Sequence, residues 1–280
     1  MNIRIDAHQH YWVIDRGDYG WITPSIPTLY RDFLPIDLVP HLNTHQLNGT
    51  IVVQAAPTIE ETEFILELAN KTDSILGVVG WLNLDDPGYQ EQLERFFEHP
   101  KFVGFRLMIQ DMPDPYAIVE PHIVRALQYC AEKDIPVDLL VVSHQLDAVL
   151  KLLELVPNLR GVIDHIAKPD IKRGVMEPWS GQMRKISNYP QIYCKLSGMV
   201  TEADHELWKV SDFTSYIQHI LELFGPSRIM FGSDWPVCLL AAEYDEIVDI
   251  VNQALPPAWG EPERAQLFGL NAQSFYKLKE

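Results

Sequence analysis

Eight short apolar runs recur along this chain at nearly even spacing, and that spacing constrains the fold more than any other feature. They cover residues 3–8, 50–56, 75–84, 102–109, 136–142, 160–166, 192–197 and 228–233. From the first start to the last, the interval averages about 32 residues, the size of one strand followed by one helix. Several runs are apolar on both faces, as in Val137-Asp138-Leu139-Leu140-Val141-Val142, which is how parallel strands covered by helices read. The segments between them carry helical periodicity. Leu146, Val149, Leu150 and Leu153 form one stripe, Phe213, Ile217, Ile220, Leu221 and Phe224 a second, and Ile123, Ala126, Leu127 and Cys130 a third. Asp212 is the expected N-cap of the second stripe and Gly225-Pro226 its stop. Eight alternating units without a long linker predict an α/β fold: one (β/α)8 TIM barrel domain over residues 1–280. A helical extension is expected after Pro256-Pro257. No Gly-x-Gly-x-x-Gly follows any strand, which argues against an open dinucleotide-binding sheet.

Composition narrows the partners. Thirty-nine acidic side chains against 22 basic ones give a formal charge of −17, so a nucleic-acid surface is not expected. Cys130, Cys194 and Cys238 are far apart and odd in number, which excludes a zinc ribbon or disulfide framework and suits a reducing compartment. No apolar run has membrane-spanning length and no signal-peptide pattern opens the chain, so a cytoplasmic protein without a membrane partner is expected. A homo-oligomer is compatible with all of this.

In barrels of this kind the chemistry sits where strands end. The first strand closes Asp6-Ala7-His8-Gln9-His10, and strict alternation would put positions 6, 8 and 10 on one face. The fifth closes Val142-Ser143-His144, the sixth Ile163-Asp164-His165, and the eighth Gly232-Ser233-Asp234-Trp235-Pro236. Four strand ends thus offer imidazoles and a carboxylate to one mouth. Together with Gly104-Phe105-Arg106, Lys168-Pro169 and Lys195-Leu196-Ser197-Gly198, these motifs resemble the amidohydrolase superfamily, and within it the sugar-lactone hydrolases. The resemblance covers nearly the whole chain and implies hydrolysis at a carbonyl centre, with Asp234 handling the proton of water.

Binuclear members of that superfamily bridge two metals with a Lys or Glu on a middle strand, and neither stands at those positions here. At most one divalent metal is therefore expected, zinc first, held by His8, His10, His144 and Asp234. A metal-free mechanism in which the histidines polarise the carbonyl remains open. Asp234, His165, His8 and His10 are the candidate catalytic residues: one base for the water, and groups aimed at the carbonyl oxygen. Arg106 and Lys168 are candidates for binding substrate oxygens. Trp12, Trp21 and Trp235 are candidates for covering a sugar face. The expected substrate is an aldonic-acid lactone. Two alternatives stand beside it: C–N hydrolysis or decarboxylation on the same site, and a barrel that binds a sugar acid without turnover.

Overall fold

Eight strands form, each overlapping one of the apolar runs: β1 Ile5–Gln9, β2 Gly49–Val53, β3 Ile75–Gly80, β4 Phe102–Met108, β5 Val137–Leu140, β6 Gly161–Ile163, β7 Ile192–Leu196 and β8 Ile229–Phe231. This computed structural model describes residues 2–278. The strands pair in parallel in chain order. The ring closes between β8 and β1, where His8 O accepts from Asp234 N at 2.8 Å and Trp235 O accepts from His10 N at 2.7 Å. At this seam a Cβ on Gly232 would fall 2.6 Å from His8 Cβ, so only glycine permits the approach.

A helix follows each strand: α1 Pro35–Thr44, α2 Ile59–Lys71, α3 Tyr89–Phe97, α4 Pro121–Glu132, α5 Leu146–Leu155, α6 Trp179–Ser187, α7 Val210–Phe224 and α8 Tyr244–Ala254, with α4, α5 and α7 on the three stripes read from the sequence. Asp212 caps α7, though from inside the first turn: the helix begins at Val210, and the Asp212 carboxylate accepts from Lys209 N at 2.9 Å. Gly225, at φ 64°, ends it. Among the described residues no helix is long and apolar enough to cross a membrane, and Cys130, Cys194 and Cys238 are free and buried.

The tail is more than an extension. After α9 (Glu261–Ala265) and α10 (Asn271–Phe275) the chain passes beneath the barrel. Asn271 Nδ2 donates to the carbonyls of Pro226 and Ile229, both at 2.7 Å, which clasps the start of β8. Ala272, Phe275 and Tyr276 then join Ile5, Ile51, Val79 and Met230 in the cluster that fills the barrel's lower interior. The floor of the barrel is therefore closed by Ala272, Phe275 and Tyr276.

Candidate active site

Strict alternation fails in β1, and the failure builds the site. The register against β2 slips between Asp6 and Gln9, a bulge that turns Asp6 away from the mouth. Its Oδ1 accepts from the backbone N–H of His8 (3.1 Å) and Ser233 (2.9 Å), and its Oδ2 from the Tyr244 hydroxyl (2.9 Å). Asp6 thus ties β1 to β8 and α8, while His8 and His10 turn towards Asp234. The shared face expected for positions 6, 8 and 10 is corrected to positions 8 and 10.

Three imidazoles surround one carboxylate oxygen. Asp234 Oδ1 lies 3.2 Å from His10 Nε2, 3.7 Å from His8 Nε2 and 3.9 Å from His165 Nε2. All four residues are buried. His10 Nδ1 donates to Val53 O at 2.7 Å, which fixes the ring with Nε2 turned to the carboxylate. His8 Nε2 is buried with no partner. His165 is held by its Nδ1, 2.9 Å from Ser197 Oγ.

The backbone carrying two of these groups is strained. Asp234 sits at φ 58°, and His165, Ile166, Ala167 and Lys168 make four consecutive left-handed residues at φ 53°, 48°, 61° and 47°. A β-branched residue in that region is an outlier, and such residues cost on the order of 1–3 kcal/mol each. The turn is pinned by Trp179 Nε1 donating to Ile166 O at 2.7 Å and by Lys168 N donating to His165 O at 2.8 Å. Gly198, at φ 58°, lets β7 pass so close that a Cβ there would meet His165 Nδ1 at 2.4 Å. The strain aims His165 across the mouth instead of along β6.

Burial sets the charge states. It drives His8 and His165 well below the ordinary imidazole value, so both are neutral at pH 7. Burial pushes the Asp234 carboxyl up, but His165, the His10 hydrogen bond and Lys168 outweigh it and hold the group below the usual range. The donor set, imidazole nitrogens beside an ionised carboxylate, is what a divalent ion such as zinc requires. One ligand atom from each of His8, His10 and Asp234 lies within 4.8 Å of the others, and a second such group is His8, Asp164 and His165. Around a tetrahedral zinc with bonds of about 2.0–2.2 Å, ligand atoms stand roughly 3.3–3.6 Å apart, so the spacing at Asp234 needs little adjustment.

His144 does not join them. It is exposed on the turn after β5 and belongs to neither group. β5 ends at Leu140, and the ring reaches solvent from Ser143–Gln145. The expected ligand His144 is out of reach of the others, and the third imidazole at this mouth is His165.

The chain matches the family model described as amidohydrolase over residues 5–278. It belongs to the amidohydrolase family. An L-fucono-1,5-lactonase of Burkholderia ambifaria is 37% identical over 99% of this chain and 97% of its own length, and an L-fucono-1,5-lactonase of Burkholderia multivorans is 37% identical over the same shares. The crystal structure of an amidohydrolase from Burkholderia multivorans with bound zinc superposes with a TM-score of 0.94, at 36% identity over 99% of this chain and all of that one.

In this amidohydrolase the other expected binding residues divide. Arg106 is buried on β4, donates to Gln54 O, and has Nη1 3.7 Å from Asp164 Oδ2, while its Nε has no partner. Lys168 is half-buried and donates to Gln110 Oε1 at 2.7 Å. Trp12 and Trp235 are enclosed, at 0% and 2% exposure, and pack edge-on to Phe33, so neither offers an open face to a sugar. Trp21 does: it is 42% exposed and is oriented by its Nε1 donating to Ala55 O at 2.9 Å.

Sequence reasoning assigned no role to Asp138, Asp164, Tyr276 or Glu61. A lone Asp in the apolar run 136–142 was the visible signal for Asp138; Glu61 gave none. Glu61 is buried in the first turn of α2, with Oε1 accepting from Ala55 N at 3.1 Å and Oε2 without a partner. Burial raises its carboxyl to about 8, against the pull of the Ala55 hydrogen bond and Arg106. Because the folded value lies above the unfolded one, the protonated group contributes stability below about pH 4 that is lost as pH rises to 8. Glu61→Gln should therefore show a flatter Tm between pH 5 and 8 than the wild type by calorimetry. Parallel curves would reject the assignment.

Proposed function

We propose that this amidohydrolase opens a sugar 1,5-lactone to its hydroxy acid, with one zinc ion bound by His8, His10 and Asp234 and with His165 beside it. The observation that carries the reading is the meeting of three imidazoles on Asp234 Oδ1 in a chain whose full-length relatives bear the name L-fucono-1,5-lactonase. Bound zinc supplies Lewis-acid polarisation of the lactone carbonyl. The chain's own groups do the rest. Ionised Asp234 takes the proton of the attacking water, and negative charge grows on the carbonyl oxygen as water adds. The C–O bond to the ring oxygen then breaks, and Asp234 returns that proton to the ring oxygen, directly or by way of His165. Arg106 and Lys168 bind substrate oxygens and Trp21 covers an apolar face of the ring, roles supported by the unpartnered Arg106 Nε, the half-buried Lys168 and the exposed Trp21 ring. We place the reaction in the cytoplasm, a reading supported by three free buried thiols.

A pH-indicator assay over L-fucono-1,5-lactone and other aldonolactones tests this directly. At least one should be hydrolysed with kcat/KM at or above about 10⁴ M⁻¹s⁻¹, the lower bound for natural substrates. Carbon dioxide release from an aromatic acid, or binding of a sugar acid with no acid release from any lactone, would replace the proposal with one of its rivals.

A further inference from the structure

The loop after β7 brings a further carboxyl to the mouth, and neither the ligand set nor the proton chemistry uses it. Just past β7, Ser197 holds the His165 ring and Gly198 lies against it. The chain then turns back over these residues. Thr201 Oγ1 donates to Gly198 O at 2.9 Å and Glu202 N to Met199 O at 3.1 Å, which fixes Glu202 at the close of the short turn Val200–Glu202. The loop after β6 braces the same turn. Lys172 N donates to Glu202 O at 2.9 Å, and Lys172 Nζ lies 3.0 Å from Asp204 Oδ2. The brace thus joins the two loops that carry Lys168 and Glu202.

Glu202 is half-buried, and among the described residues its carboxyl takes part in no hydrogen bond or ion pair. Burial raises the group above the usual carboxyl value; Lys168 pulls it down and Asp234 pushes it up, with His205 and Asp170 adding smaller effects of each sign. Lys168 acts on Asp234 and His165 too, so Glu202 shares its surroundings with the proposed centre. Closing a ligand over such a carboxyl is costly unless the ligand supplies a donor. The substrate-binding groups already described cannot use one: Arg106 and Lys168 carry only N–H donors, and Trp21 offers a ring face. A sugar hydroxyl has a proton to donate as well as lone pairs. Of the acceptors nearby, Gln110 Oε1 is taken by Lys168 and Asp234 Oδ1 by the imidazoles. The Glu202 oxygens are free.

We infer that Glu202 is a specificity-determining residue: its carboxyl accepts from hydroxyl groups of the sugar ring, so that the site favours polyhydroxylated 1,5-lactones over unsubstituted ones. The inference rests on the proposed lactonase reading for the seat of the ring beside His8, His10 and Asp234. Lys168 then donates to ring oxygens and Glu202 accepts from them, and two carboxyl oxygens suit an adjacent pair of hydroxyls. A Glu202 that served only as counter-ion to Lys168 would affect every lactone alike.

The test compares L-fucono-1,5-lactone with δ-valerolactone, the same six-membered lactone ring without substituents, in the full chain carrying Glu202→Gln and, as a second variant, Glu202→Ala. The ratio of kcat/KM for the two lactones should fall about 10–100-fold in Glu202→Gln, the effect of one hydrogen bond to a charged group, with the sugar lactone losing mainly in KM. Calorimetric binding of the ring-opened acids, L-fuconate and 5-hydroxypentanoate, should show the same shift in their affinity ratio and needs no turnover. The shift should persist when Lys168→Met is added, where a counter-ion role would lose it. Ratios that stay within about twofold of wild type in both folded variants, or a shift that vanishes with Lys168→Met, would overturn the inference and leave the proposed reaction standing. Shifted acid binding without turnover of any lactone would sink the reaction and keep the role of Glu202. Neither turnover nor binding of either acid by the wild type would overturn both.

Discussion

Asp234→Asn is expected to lower kcat by about 10²–10⁴, the range for loss of a general base, with a much smaller change in KM. The substitution keeps the size of the side chain and one acceptor oxygen, and removes the charge that three imidazoles and Lys168 are arranged around. His165→Asn should cost less, since its ring lies 3.9 Å from the same oxygen and helps to aim the carbonyl. The lowered carboxyl of Asp234 fixes the sign of the pH dependence. The base is already ionised above about pH 4, so its limb of the kcat/KM profile lies below that, and a limb nearer pH 6 belongs to another group. The same shift makes ionised Asp234 stabilising above its unfolded value near 4, a contribution lost as pH falls through the folded value. The Tm of Asp234→Asn should therefore lie below wild type at pH 7 and approach it in acid. Near wild-type kcat in a folded Asp234→Asn protein would move the base to another residue.

Local signals explain why the barrel could be read from the sequence. Each strand announces itself by an apolar run of its own, and α4, α5 and α7 by their stripes, so eight repeats add to one topology without any long-range information. The site was legible as far as strand ends are. His8, His10 and Asp234 lie at the closing seam, where placement at a strand end suffices to bring side chains together. His144 was misplaced because β5 ends early, and whether a side chain two or three residues past a strand turns inward depends on the loop. His165 reaches the mouth through a left-handed turn that nothing in Asp164-His165-Ile166-Ala167-Lys168 proclaims, and only the neighbouring Trp179, Ser197 and Gly198 make it tenable. The bulge that turns Asp6 outward is likewise a consequence of its partners Ser233 and Tyr244, more than 220 residues away. Tyr276 was hidden for the same reason: a tail that folds back beneath a barrel leaves no periodicity in its own sequence.

Exhaustive removal of metal is expected to lower kcat by about 10³ or more, and one equivalent of zinc should restore it. Lewis-acid polarisation is worth several kcal/mol in such reactions, and each 1.36 kcal/mol is about tenfold in rate. Metal-free catalysis would need positive charge at the carbonyl oxygen from His8 or His165, yet burial holds both rings neutral at pH 7. Arg106 is no ready substitute, because its guanidinium is already engaged by Gln54 O and set near Asp164. Stability should respond in parallel: at a zinc concentration about 100 times its dissociation constant, binding to the folded state adds about 2.7 kcal/mol, which for a chain of this size raises Tm by several degrees. Elemental analysis of the restored enzyme should find about one zinc per chain, and two bridged ions would contradict the ligand set. Full turnover with metal below about 0.05 equivalents and no Tm response to zinc would instead assign polarisation to the histidines and Arg106, with Asp234 still taking the proton of water.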